Sequence, residues 1–161
     1  MQLFWRRRHT MTSIGNLLTA LQIGPGNFNA SYSKAGLTAF EFISNQVSSY
    51  PVDQDLQKSV NIFFGKLQLQ QLPIFDLDGS DFQLKVWHAL CQIPWGKTES
   101  YKSLAKIIGS PGASRAVGTA CRLNPVPLFI PCHRVIKHDG SIGEFALGIK
   151  NKRFLLDLES Q

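Results

Sequence analysis

Residues 131–134 read Pro-Cys-His-Arg at the end of the apolar run PVPLFI, so a thiol, an imidazole and a guanidinium occupy consecutive positions. These are the parts of a thiol nucleophile with a base and a cation beside it. A free thiol, with a pKa of ~8.5, is only a few per cent thiolate at neutral pH, so a useful nucleophile needs a nearby base or positive field. His133 and Arg134 could supply both. Neighbours on an extended strand point to opposite faces, so Cys132 and His133 pair only if the chain turns or a water lies between them. Pro131, whose ring fixes its own backbone, could set such a turn. Each residue alone has a plainer reading: Cys132 as a small hydrophobe at a strand end, His133 as a hydrogen-bonded structural residue, Arg134 as a solvated surface cation. Their conjunction favours chemistry.

Charge points the same way. The 161 residues carry a formal charge of +6 with a pI near 9.4, which favours a polyanionic partner. Between Ser100 and His138 there is no Asp or Glu, while Lys102, Lys106, Arg115, Arg122, Arg134 and Lys137 all fall there. The cysteine therefore lies inside a local positive field. The three cysteines, Cys91, Cys121 and Cys132, include no close pair and form no disulfide framework or zinc cluster, so a reducing, cytoplasmic setting is expected. Cys91 and Cys121 read as core residues. Arg6-Arg7-Arg8 resembles the start of an export signal, but Asn16, Thr19 and Gln22 interrupt the apolar stretch that follows. No stretch approaches the ~20 apolar residues of a membrane span.

The elements that must position these residues divide at the acidic turn FDLDGS, residues 75–80, giving expected domains 1–77 and 78–161. In the first, FNASYS and LTAFEFI around Lys34-Ala35-Gly36 predict a hairpin, and Leu56, Val60 and Phe63 predict a helix over 53–64. In the second, Phe82, Leu84, Val86, Trp87 and Leu90 predict a helix over 81–92 with Ser80 as its N-cap. Two short helices, 101–108 and 113–123, flank the turn GSPG and suggest a helix-turn-helix, a pattern that any helical hairpin can also produce. The second of them presents short side chains, Ala113, Ser114, Gly118 and Thr119, poorly suited to reading a deep groove but able to approach a backbone or a shallow groove closely.

NPVPLFIPCHRVI, preceded by RAVGTACR, resembles the active-site region of the O6-alkylguanine-DNA alkyltransferases, and the likeness runs from Phe82 to Glu159. That family implies an α+β fold, with a small ribonuclease-H-like N-terminal domain carrying an antiparallel sheet and a winged-helix-like C-terminal domain containing the helix-turn-helix. It implies that Cys132 takes an alkyl group irreversibly from O6 of guanine, and from O4 of thymine, in DNA. His133 would then be its base through a water, Glu159 would orient His133, Asn124 would hold the active-site turn, and Tyr101 would help turn the nucleotide out and donate to the leaving base. Arg115 would fill the vacated stack. Ala113, Ser114, Thr119 and Arg122 would join it on the minor groove of a duplex containing O6-alkylguanine. Tyr101, Val135, Phe145, Ala146 and Leu147 would line the base pocket. A monomer with no cofactor and no membrane partner is implied.

Two features depart from the family. Phe145-Ala146-Leu147 stands where Tyr-Ser-Gly is common, removing a hydroxyl and enlarging a glycine, so Leu147 is expected to narrow the pocket. No N-terminal Cys and His set of the kind that holds structural zinc in some members is present, and no metal is expected. A Cys-His hydrolase and a non-reacting damage sensor are the competing readings. The first leaves the basic helices unused and the second needs no thiol.

Overall fold

The computed structural model describes residues 5–7, 17–23, 26–43 and 75–160. The chain forms two compact units, Met1–Asp78 and Gly79–Gln161, and its fold is α+β.

The first unit holds a five-stranded sheet in the order β1-β5-β4-β3-β2. Strands β2 (Leu17–Ile23), β3 (Gly26–Tyr32) and β4 (Leu37–Ile43) form an antiparallel meander that contains the expected hairpin. Ser33 shapes the β3–β4 turn, accepting from Ala35 N at 2.9 Å while its own N–H reaches Gly36 O at 2.9 Å. The sheet is not wholly antiparallel, however, since β5 (Phe75–Leu77) runs parallel to both β4 and β1 (Trp5–Arg7). A parallel neighbour needs a long crossover, and residues 44–74 separate β4 from β5. Ala30, Leu37, Phe40, Phe75 and Leu77 form its buried core. The helix expected over 53–64 lies outside the described residues.

The second unit begins with α1 (Asp81–Leu90), which Ser80 and Gln83 close with a reciprocal capping box. Cys91 caps its other end, so the helix is two residues shorter than its periodicity predicts. Its buried face is Val86, Trp87, Ala89 and Leu90. The strand β6 (Glu99–Ser100) leads into α2 (Tyr101–Ile107), capped by Ser100, and α3 (Ser114–Arg122) follows a turn in which Gly109 and Gly112 take φ of 73° and 92°. Only glycine adopts such angles without strain. Trp87 Nε1 donates to Ala120 O at 2.9 Å, fastening α1 to α3.

The chain then folds through buried residues 126–131, with Leu128 in the left-handed region at φ 77°. It reaches a 3-10 turn at Cys132–Arg134, followed by β7 (Val135–Ile136), parallel to β6. Helix α4 (Ile149–Glu159) closes the unit, its buried face made of Lys152, Leu155 and Glu159. No described helix is long and apolar enough to cross a membrane.

Candidate functional site

Cys132 and His133 do not lie on an extended strand. They share a 3-10 turn entered through Pro131 at φ −79°, ψ 62°. With three residues per turn, successive side chains diverge by about 120° rather than 180°, which removes the strand geometry's objection to their cooperation.

Cys132 is 2% exposed, and its Sγ accepts from Asn124 Nδ2 at 3.1 Å. The same amide donates to Ile130 O at 2.8 Å, and its oxygen accepts from Val126 N at 3.1 Å. One side chain thus bonds to three points of the loop that carries the cysteine. Burial pushes the Cys132 thiol up to about 11, against the Asn124 hydrogen bond and the Lys152 charge, which pull it down.

His133 is fully buried, and its Nε2 lies 2.8 Å from Glu159 Oε1. Glu159 also receives Arg134 Nε at 2.8 Å and Nη2 at 2.9 Å, and Gly96 N at 3.3 Å. Burial opposes the charge on Glu159, but the hydrogen bonds and charges of His133 and Arg134 outweigh it and hold the carboxyl below its usual range. An ionised carboxylate only accepts, so Nε2 carries the ring proton and Nδ1 presents a lone pair. Nδ1 is buried and has no hydrogen-bond partner. Burial, opposed by Glu159, leaves the imidazole pKa below its usual value, so His133 is neutral at pH 7. Glu159, expected to orient His133, lies within hydrogen-bond reach of its ring.

Arg134 is no surface cation. It is buried, donating Nη1 to Ile93 O at 2.6 Å, with its guanidinium 5.7 Å from the Trp95 ring centroid. A planar fork can serve the carboxylate on two sides at once. The other five cations of the acid-free window are exposed.

A cavity of about 850 Å³ opens over Cys132. Tyr101 lines it from α2; Ser114, Arg115, Gly118, Thr119, Cys121 and Arg122 line it from α3; Lys137 and residues 143–146 form another wall. Tyr101, Phe145 and Ala146 therefore stand where the pocket was expected. Val135 and Leu147 are not among the lining residues. Val135 is fully buried with its carbonyl taken by Lys152, and Leu147 lies in the turn in which Gly148 N donates to Phe145 O at 2.9 Å. The expectation that Leu147 narrows the pocket is corrected accordingly. Arg115, Arg122 and Thr119 are exposed, whereas Ala113, Ser114 and Gly118 are only partly so, and Ala113 caps α3 without lining the cavity.

Sequence reasoning missed Lys152. It is fully buried, with Nζ 2.6 Å from Val135 O, 3.3 Å from Glu144 O and 5.8 Å from the Tyr101 ring centroid. It ties the strand after the cysteine to the cavity wall. Burial lowers its pKa, while the Cys132 and Cys121 sulfurs raise it. Its signal was present, since positions 152, 155 and 159 lie on one helical face with Leu155 and the expected Glu159. Cys121 is buried as expected, yet it also lines the cavity. Among the described residues, no cluster of three or more His, Cys, Asp or Glu could hold a metal ion.

Residues 81–161 match the family described as 6-O-methylguanine DNA methyltransferase, DNA binding domain. Over 97 residues, 60% of this chain, the sequence is 50% identical to a methylated-DNA–protein-cysteine methyltransferase of Methanosarcina barkeri. Over 84 residues, 52% of the chain, it is 52% identical to the protein of that name from Mycobacterium bovis. The matches span 61% and 51% of those two proteins' own lengths. The structure superimposes on Mycobacterium tuberculosis OGT in complex with DNA with a TM-score of 0.79 and 34% identity, over 89% of this chain and 92% of that one.

Proposed function

Because the chain belongs to the 6-O-methylguanine DNA methyltransferase family, we propose that it repairs DNA by moving an alkyl group from O6 of guanine, and from O4 of thymine, irreversibly onto Cys132. The observation that carries this is the pairing, within one 3-10 turn, of a thiol held by Asn124 with an imidazole held by Glu159 whose Nδ1 is unpaired.

A thiol held at about 11 is poorly ionised at neutral pH. Four pKa units correspond to about 5.5 kcal/mol, so unassisted thiolate formation would leave the reaction slow. His133 Nδ1 draws the proton from Cys132 through a water, and Glu159 steadies the imidazolium that results. The sulfur then attacks the alkyl carbon in line, the carbon–O6 bond breaks, and its electron pair stays with guanine. Tyr101, whose hydroxyl approaches Glu144 O at 3.5 Å, donates to the departing base. A thioether is not hydrolysed by water, so each molecule acts once.

A base within a duplex is beyond the reach of a buried sulfur, and flipping it out costs a few kcal/mol. Arg115, exposed at the cavity rim early in α3, fills the vacated stack and offsets that cost. The small residues of α3 let the helix approach the minor groove, with Arg122 and the exposed lysines on phosphates. The N-terminal unit serves as a ribonuclease-H-like scaffold, the C-terminal unit is winged-helix-like, and the protein acts as a cytoplasmic monomer. Neither competing reading accounts for a base relay at the foot of a basic cavity. Titration with a duplex containing O6-methylguanine tests the proposal: wild type should restore one guanine per molecule and stop, and Cys132→Ser should restore none. Continued turnover, or restoration by Cys132→Ser, would overturn it.

A further inference from the structure

The cavity holds two thiols. Cys121, from α3, and Cys132, from the 3-10 turn, are both free, both buried and both part of its lining. Asn124 links them. Its N–H reaches Cys121 O at 3.3 Å, one helical turn on, and its side-chain Nδ2 lies 3.1 Å from Cys132 Sγ. The charged and titratable groups that line the cavity or act on the pair are Tyr101 from α2, Arg115 and Arg122 from α3, Lys137 and Glu144 from the facing wall and Lys152 from α4, with His133 next to Cys132 in the turn. Burial raises the Cys121 thiol, a charge on Cys132 raises it further, and the Lys152 ammonium favours a thiolate on either sulfur. A thiol so held is poorly ionised at neutral pH, so an electrophile generated beside it is what would engage Cys121.

We propose that Cys121 is a second acceptor: when the group taken by Cys132 carries a leaving group on its second carbon, Cys121 displaces that group and closes a thioether bridge between the two sulfurs. This rests on the alkyl-transfer reading of Cys132 and extends the substrate class to bifunctional alkyl groups such as haloethyl. Cys132 first forms its carbon–sulfur bond as guanine leaves. The Cys132 sulfur then assists loss of halide, which departs with its electron pair, giving a three-membered episulfonium ring. Cys121 attacks a ring carbon, the ring carbon–sulfur bond opens, and the thiol proton passes to water. The product is neutral. An –S–CH₂–CH₂–S– link reaches roughly twice the ~2 Å of a disulfide, so it can join two thiols that line one cavity without the close approach a disulfide needs. Closure also removes an electrophile that would otherwise attack the bound DNA.

The test uses 1,2-dibromoethane on the full chain, with methyl iodide as a reagent that cannot bridge. Trypsin cleaves after Arg122, so Cys121 and Cys132 fall in separate peptides. In wild type, dibromoethane should join these peptides and remove both thiols, while methyl iodide should remove the Cys132 thiol alone. Cys121→Ser should end with hydroxyethyl on Cys132. Wild type that carries hydroxyethyl on Cys132 with Cys121 still a free thiol, or a bridge that runs to Cys91, overturns the proposal. Methyl uptake from an O6-methylguanine duplex is measured in parallel on wild type. Its failure would refute the alkyl-transfer reading, whereas a missing bridge alongside normal uptake refutes only the second acceptor.

Discussion

Replacing Glu159 by Gln removes one charge from a carboxylate that accepts four hydrogen bonds, from His133, twice from Arg134, and from Gly96. An amide keeps one oxygen and turns an NH₂ toward the remaining donors. If the oxygen stays with His133, Arg134 Nε and Gly96 N face another donor; if it flips, His133 loses its partner. Breaking a buried ion pair from one side costs about 3–5 kcal/mol, and Arg134 keeps its bond to Ile93 O, so a loss near 3 kcal/mol is expected in denaturant unfolding. The rate should fall more informatively. His133 loses the hydrogen bond and charge that raise its pKa, while the burial that lowers it remains. General-base help is worth about 100–10,000-fold, and loss of the group that orients the base should forfeit at least about tenfold of it. The deficit should shrink as pH rises from about 7 toward about 10, because Cys132, held at about 11, ionises increasingly without help. The assay is the second-order rate on an O6-methylguanine duplex across that range. Wild-type and Glu159→Gln profiles that stay parallel would refute a role in thiolate formation and leave Glu159 structural only. Stability gives a second check with a definite sign. The depressed folded pKa values of His133 and Glu159 contribute stability above their usual 6.5 and 4.5 that is lost as pH falls through the folded values. Wild type should weaken in both windows, Glu159→Gln in the upper one alone.

Asn124→Ala strands the buried Val126 N–H, at about 1–3 kcal/mol, leaves Ile130 O with the Cys132 N–H alone, and removes a bond that lowers the Cys132 pKa; the pH midpoint of iodoacetamide reaction at Cys132 should move up. An unmoved midpoint would show that Asn124 only braces the loop. Arg115→Ala should slow repair of duplex DNA by about tenfold or more while changing reaction with the free base less than about twofold, since only the duplex demands a flipped base. Equal losses on both substrates would remove the finger role. Phe145→Tyr adds a hydroxyl donor to the cavity wall and should raise methyl and benzyl transfer alike by up to about tenfold, whereas Leu147→Gly should leave the benzyl-to-methyl ratio unchanged because Leu147 does not line the cavity. Selective recovery of benzyl transfer in Leu147→Gly would contradict that lining.

The candidate site was legible in the sequence because its residues are local: Pro131 to Arg134 are consecutive, and Asn124 bonds to the same loop. Helices α1 to α3 were legible from apolar spacing, Ser caps and glycine turns. What escaped depended on three-dimensional packing. Arg134 read as a surface cation and Lys152 drew no reading at all, since nothing in composition shows that Glu159, Ile93 O and Val135 O converge to satisfy them once buried. Leu147 was placed in the pocket because it stands where the family commonly has glycine, but it lies in the turn closed by Gly148 N on Phe145 O and does not line the cavity. The parallel pairing of β5 with β4 and β1 is a long-range choice that strand patterning alone leaves open.

Where the alkyl group goes decides whether Cys132 is the acceptor. A duplex bearing O6-methylguanine with an isotopically labelled methyl is incubated with wild type, the protein is digested, and the cysteine peptides are weighed. The label should appear on the peptide ending at Arg134, at Cys132 and in a one-to-one ratio to guanine restored, with Cys91 and Cys121 unmodified. Label on another residue, or restored guanine with no label on the protein, would contradict the assignment of Cys132 as the acceptor.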